Sequence, residues 1–187
     1  MVRLVMSLML MLVNLPALCL ETLPIDASHS AVIFSWNHRG YSHPLARLEQ
    51  IHGNVLMDRA DLTQSSVSVT MPLGGLRTGD DDLDKRLRGA EFFDAARYPE
   101  ITFKSTKVET AGANALKITG DLVVHGVSKS VVLDATVNKI NDNARDKPAA
   151  GFDAAVMLRR SDFGVSKYVP MVADELLVHI TLEAHQE

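Results

Sequence analysis

Seven stretches of this chain alternate apolar and polar residues with a period of two, and that rhythm limits the fold more than any other feature. In Val32-Phe34-Trp36 the large apolar residues share one parity, with Ser35 and Asn37 on the other. The same spacing recurs in Val67-Val69-Met71, Ile101-Phe103, Ile118-Gly120-Leu122-Val124, Val131-Leu133-Ala135-Val137, Phe152-Ala154-Val156-Leu158 and Leu176-Val178-Ile180-Leu182. Successive side chains of a strand point to opposite faces, so each stretch predicts a strand with one buried face. His125-Gly126-Val127-Ser128-Lys129 separates two of these strands and reads as a glycine-containing hairpin turn, which makes its neighbours antiparallel. Seven or eight such strands point to a mainly β fold: an extended antiparallel up-and-down barrel of about eight strands, or a sandwich.

One segment departs from the rhythm. Thr78 to Ala90 begins with Asp80, Asp81 and Asp82, carries Lys85, Arg86 and Arg88 toward its end, and is followed by Gly89. That charge order complements a helix dipole, and the glycine is a plausible stop, so the segment predicts one short helix with Leu83 and Leu87 inward. Its charges are read as a solvated face. The polar stretch from Asn138 to Lys147 reads as an exposed hairpin loop.

The first residues have the grammar of a secretory signal peptide. Arg3 precedes an uncharged apolar run from Leu4 to about Leu15, and Pro16 closes it before Ala17-Leu18-Cys19. The run is short for a membrane span of about 20 residues. Residues 1–19 are therefore expected to be removed after Cys19 or near it, leaving residues 20–187 as one exported domain that does not span the membrane. An uncleaved anchor and acylation at Cys19 are the other readings, and Leu18 sits poorly before an acylated cysteine. Cys19 is the only cysteine, so the mature chain has neither disulfides nor thiol chemistry. The full chain carries a net charge of −4, and loss of Arg3 makes it one unit more negative. Without a basic stripe, binding to nucleic acid is not expected.

Asp162-Phe163-Gly164 spells the metal-binding triplet of protein kinases. A kinase also needs a glycine-rich loop, a strand lysine and an upstream catalytic loop, and the closest approach to the last, His38-Arg39-Gly40, has glycine where the base belongs. The triplet is explained by a different pattern. Ile25-Asp26 with His29-Ser30 and Val32-x-Phe34; Phe93-Asp94 with Tyr98-Pro99 and Ile101 to Ser105; Thr119-Gly120-Asp121-Leu122 with His125 to Lys129; and Arg160-Ser161-Asp162-Phe163-Gly164 follow one another in order. Together they resemble the YceI family of exported, lipocalin-like proteins that bind polyisoprenoids or similar long-chain lipids in an extended barrel. The resemblance implies that the Arg-x-Asp-Phe-Gly block ends a strand and enters a turn. Tyr41 to Leu48, which contains Pro44, departs from the family pattern, and this puts the shape of that loop in question.

A long hydrocarbon gains roughly 0.8 kcal/mol for each methylene removed from water, so such a ligand needs a deep apolar tunnel with a few polar groups at its mouth. The resemblance and the strand parity make Phe34, Trp36, Phe103, Leu122, Val124 and Ile180 the candidate wall, with Phe163 added from its block. Filling a solid core is the alternative for each. Arg160 continues the apolar parity of its strand and needs a partner. Asp162 is the first choice for that partner, and an anionic head group the second. His38 lies on the parity of Phe34 and Trp36 and reads first as a hydrogen-bonded core residue, second as a ligand contact.

Catalysis finds no motif. There is no Gly-x-Ser-x-Gly elbow, and the seven histidines include no His-x-x-x-His pair. No cofactor is expected, and no local metal motif is present, although spacing says nothing about ligands brought together from distant parts of the chain. The expected function is a non-catalytic periplasmic binder or carrier of a polyisoprenoid, quinone-like or other long-chain lipid. The alternative is a stress-related interaction protein with a filled barrel that docks a membrane partner such as a cytochrome. A tunnel of several hundred cubic ångströms separates the first from the second, and an edge strand left by imperfect closure offers a route to a homodimer.

Overall fold

The computed structural model describes residues 20–141 and 147–186. The expected signal peptide therefore lies outside the described residues, as does the middle of the expected loop between Asn138 and Lys147. Eleven strand segments form one antiparallel sheet: β1 (Leu20–Pro24), β2 (Ala31–His38), β3 (Leu45–Leu48), β4 (His52–Asp58), β5 (Ser66–Pro72), β6 (Leu76–Arg77), β7 (Glu100–Thr110), β8 (Ala115–Val124), β9 (Val127–Ile140), β10 (Ala149–Arg159) and β11 (Val172–His185). Their order is β1-β4-β5-β7-β8-β9-β10-β11-β2-β3-β6. The run from β7 to β11 is an up-and-down meander, and the shorter N-terminal strands cross over to pair at its two sides.

All seven expected strands are present, and the register explains why their parity matters. Val178 stands opposite both Val156 and Phe34, and Ile180 opposite both Ala154 and Val32. Phe103 stands opposite Leu122 in the same way. Each apolar parity thus falls on one side of the sheet, and curling that side inward removes it from water. The curl closes at one end, where Ile25, just past β1, bridges to Ala184 of β11 and the Asp26 amide donates to the Glu183 carbonyl at 2.9 Å.

The expected helix is α1 (Asp81–Arg88), capped by the Asp80 carboxylate, which accepts from the Leu83 amide. Leu87 is buried and Leu83 packs against the core. Gly89 ends the helix in an extended conformation, not the left-handed one. The charged face is solvated except at Asp84, which is buried and accepts from both the amide and the hydroxyl of Thr78 at 2.7 Å.

The expected turn between β8 and β9 is tighter than its sequence suggested. Val124 pairs with Val127, so His125 and Gly126 alone make the loop, with φ of 52° and 75°. Two positive values at the central residues are the requirement of the type I′ hairpin turn. The turn is wedged between two other parts of the chain. The Tyr98 ring packs edge-on against the His125 ring at 4.9 Å, and a Cβ on Gly126 would stand 2.4 Å from Tyr98. On the other side Gly164, itself left-handed at φ 77°, leaves room for the His125 ring, whose Nδ1 would lie 3.3 Å from a Cβ there. Gly164 therefore ends the Arg-x-Asp-Phe-Gly block in a turn against the hairpin, as the resemblance implied.

Gly126→Ala is expected to cost more than Gly40→Ala. Both positions have positive φ, which costs a non-glycine residue about 1–2 kcal/mol, but only Gly126 also meets a ring, adding about 1–3 kcal/mol of overpacking. Urea unfolding of the two variants measures the difference, and equal midpoints would mean that the Tyr98 contact yields freely.

Candidate functional site: an apolar lumen and its mouth

The barrel interior is not packed solid. It encloses a cavity of about 180 Å³, counted as space open to the centre of a water-sized sphere. A single water needs only about 10–15 Å³ by that measure. This is smaller than the several hundred cubic ångströms expected. Leu116, Ile118, Leu122 and Val124 of β8 all line it, and at about 3.3 Å per residue they cover about 26 Å of strand. The wall is hydrocarbon, with Ser65, Ser66, Asp153 and Arg160 its only polar residues.

Phe34, Phe103, Leu122, Val124, Phe163, Ile180 and Arg160 line this lumen, seven of the nine residues singled out in the sequence. Trp36 and His38 do not. They line a second cavity of about 330 Å³ that adjoins the first across Phe34, Phe93, Arg160 and Leu176. Phe34 and Phe93 meet edge to face at 6.1 Å and stand between the two spaces. Parity places Trp36 on the correct side of β2, but β2 runs past the lumen at this end. His38 is exposed, so the core reading of that residue is wrong. The second cavity forms the mouth of the first.

Arg160 is buried, 8 % exposed, and its partner is not Asp162, which is exposed. The guanidinium donates to four backbone carbonyls: Nε to Ala173 at 2.9 Å, one terminal nitrogen to Val165 at 2.9 Å and Lys167 at 2.8 Å, the other to Val172 at 3.0 Å. Four of its five N–H groups are thereby used, two on the loop after Phe163 and two on the first residues of β11. Burial pushes the guanidinium below its usual range, and the Asp174 carboxylate works in the opposite direction. That carboxylate in turn accepts from the amide and hydroxyl of Ser161 at 2.9 and 2.6 Å. Asp162 was a natural choice from its place two residues on, but the short 3-10 turn at Arg160–Phe163 sends its side chain outward.

The mouth holds residues that periodicity did not mark. Arg86 reaches it from α1, and Lys167 and Tyr168 from the loop before β11. Lys167 pairs with Glu91 at 2.6 Å, whereas Arg86 has no carboxylate within ion-pair reach among the described residues. Arg86 is found only once the helix is seen to lie over the barrel end. Pro44, in the stretch that departs from the family pattern, also lines the mouth, and its carbonyl accepts from the Trp36 amide at 3.2 Å.

Arg160→Ala is expected to lower stability by about 3 kcal/mol, because carbonyls turned inward lose their donors together. Asp162→Ala should stay within about 0.5 kcal/mol of the parent. Thermal and urea unfolding of both variants check this, and comparable losses would restore Asp162 as the partner.

Comparison with known proteins agrees with this architecture. The model of the YceI-like domain matches residues 23–184. A UPF0312 protein of Vibrio cholerae is 34 % identical over 149 residues, covering 77 % of this chain and 79 % of that one. One from an Enterobacter species is 32 % identical over 162 residues, covering 87 % and 84 %. Among solved structures, BcnA of Burkholderia cenocepacia superposes with a TM-score of 0.78 at 26 % identity, covering 86 % of this chain and 99 % of its own. A polyisoprenoid binding domain from Saccharophagus degradans, implicated in plant cell wall breakdown, shares the fold with a TM-score of 0.70 at 14 % identity, covering 90 % and 99 %. With residues 23–184, nearly all of those described, matched by the family model, the chain belongs to the YceI-like domain family.

Proposed function

We propose that this protein is a non-catalytic binder or carrier that holds the tail of a polyisoprenoid or similar long-chain lipid in the lumen and its head group in the mouth. The observation that carries the proposal is the lumen itself, walled by hydrocarbon and lined along β8 from Leu116 to Val124. Dispersion contacts are lost wherever an interior surface faces empty space, so an apolar occupant gains both packing and release from water. The related fold of the polyisoprenoid binding domain from Saccharophagus degradans supports the same class of ligand. A filled barrel acting only as a docking protein fits this interior less well.

The mouth suits a polar or anionic head, since Arg86, Lys167 and Tyr168 surround it while Arg160 is already committed to the backbone. Tyr41, Tyr168, Val169 and Met171, on the two loops at this end, are exposed apolar or aromatic side chains, which favours exchange of lipid with a membrane surface. No helix among the described residues is long and apolar enough to cross a membrane. The proposal includes export to the periplasm through residues 1–19 as a cleaved signal peptide. Pairing of two copies would use β1, the longer of the two outer strands of the sheet.

Native mass spectrometry of protein taken from its own host without detergent, followed by organic extraction, tests the carrier reading. A discrete adduct with an isoprenoid or fatty-chain mass is expected, and a clean ligand-free mass would count against it. Ala135→Phe adds a ring to a lumen wall where a small residue now stands, and is expected to reduce bound lipid about tenfold or more with the β circular dichroism retained. Unchanged loading of that variant would move the ligand out of the lumen.

A further inference from the structure

At the end of the barrel away from Arg160, the turn after β1 lies against the last residues of β11. Asp26, His29 and Glu183 each offer one ligand atom there, and these three atoms lie within 4.8 Å of one another. His185 is not one of these three mutually close residues, but its Nδ1 faces the two carboxylates, 4.0 Å from Asp26 Oδ2 and 3.8 Å from Glu183 Oε1. That nitrogen is closed off from solvent and has no hydrogen-bond partner among the described residues. A buried ring nitrogen that faces two carboxylates across distances too long for hydrogen bonds is an expensive arrangement unless something sits between them.

We propose that Asp26, His29, Glu183 and His185 form a binding site for a divalent transition-metal ion of the zinc class. Zinc takes four ligands tetrahedrally, with bonds of about 2.0–2.2 Å to imidazole nitrogen and carboxylate oxygen, which sets neighbouring ligand atoms about 3.4 Å apart. The 3.8 and 4.0 Å separations are close to that value, and the exposed His29 ring would swing toward His185 to complete the four. His29 Nδ1 and Asp26 Oδ2 now share a hydrogen bond at 2.6 Å, and a metal would replace the shared proton while the two atoms move apart. Two imidazoles with two carboxylates suit zinc, nickel or copper, and are too few and too nitrogen-rich for calcium.

The supporting frame is already in place. Asp26 Oδ1 accepts from the amide and hydroxyl of Ser28 at 2.8 and 2.6 Å, which leaves Oδ2 turned toward the histidines. The fully buried Ser30 hydroxyl accepts from the Glu183 amide at 3.0 Å, and the Asp26 amide donates to the Glu183 carbonyl. These bonds fix the turn against the strand, so the two halves of the site do not have to find each other when the ion arrives. The site is independent of the lipid lumen, and its effect would be to fasten the closing seam of the sheet.

Isothermal titration of the tag-free chain with zinc alone, in a non-chelating buffer, is the test. One ion per chain is expected, with a rise in melting temperature on binding. His185→Ala should weaken binding about tenfold or more and abolish that rise. The fold should survive, because the replaced Nδ1 makes no hydrogen bond. Glu183→Gln gives a second reading through a different ligand, and His52→Ala, on β4 and outside the cluster, should bind as the parent does. Absence of zinc binding at micromolar concentrations would overturn the proposal, as would affinity unchanged in both His185→Ala and Glu183→Gln.

Discussion

An inner face that is hydrocarbon along seven strands cannot be left open to water, and the rest of the architecture answers that constraint. The long meander from β7 to β11 supplies most of the wall, and the pairing of β11 with β2 carries it round. The remaining opening is drawn together where Ile25 reaches Ala184. Closure alone does not fill a barrel. The side chains that meet inside leave a long void, and a void forfeits contacts that a packed core would make. An interior that stays open along its axis makes sense when a ligand completes the packing.

The mouth is held by a different kind of interaction. A buried guanidinium is usually paired with a carboxylate, but Arg160 donates instead to four carbonyls, two in the loop after Phe163 and two at the start of β11, with Asp174 near enough to favour its charge. Several backbone dipoles oriented on one cation, helped by one carboxylate at a distance, satisfy the charge and at the same time determine the path of the chain from Phe163 to Val172. The charged side chains left facing the mouth are Arg86 and Lys167, whose positions come from α1 and from that same loop.

The sequence disclosed strands better than it disclosed sites. Where alternation runs for several residues on one face, as in β8 to β11, existence and inward parity were both legible. The short β1, β3 and β6 were not singled out, because a few residues carry too little pattern to stand apart from a turn, and β4 was missed because its apolar alternation is confined to Val55 and Met57. Parity also says which side a residue faces and nothing about depth along the barrel axis. Trp36 and His38 share the side of Phe34, yet lie beyond the lumen, and His38 reaches solvent. The partners of Arg160 were hidden for another reason. They are backbone carbonyls up to thirteen residues away, and no residue type announces them.

The four blocks that carry the family resemblance are far apart in sequence but gather into two places. Tyr98, the His125-Gly126 turn and Gly164 come from three of them and interlock at the mouth end, where two left-handed glycines allow an imidazole and a phenol to approach the backbone. Asp26, His29 and Ser30 come from the remaining block and are bonded to one another or to Glu183 at the closed end. The residues between these nodes are merely apolar and of suitable size, a condition that many side chains meet. Turns and seams admit few solutions because they depend on a positive φ, a missing Cβ or a particular hydrogen bond. A motif such as Asp162-Phe163-Gly164 is therefore informative about where the barrel turns and closes, and says little about the apolar wall between.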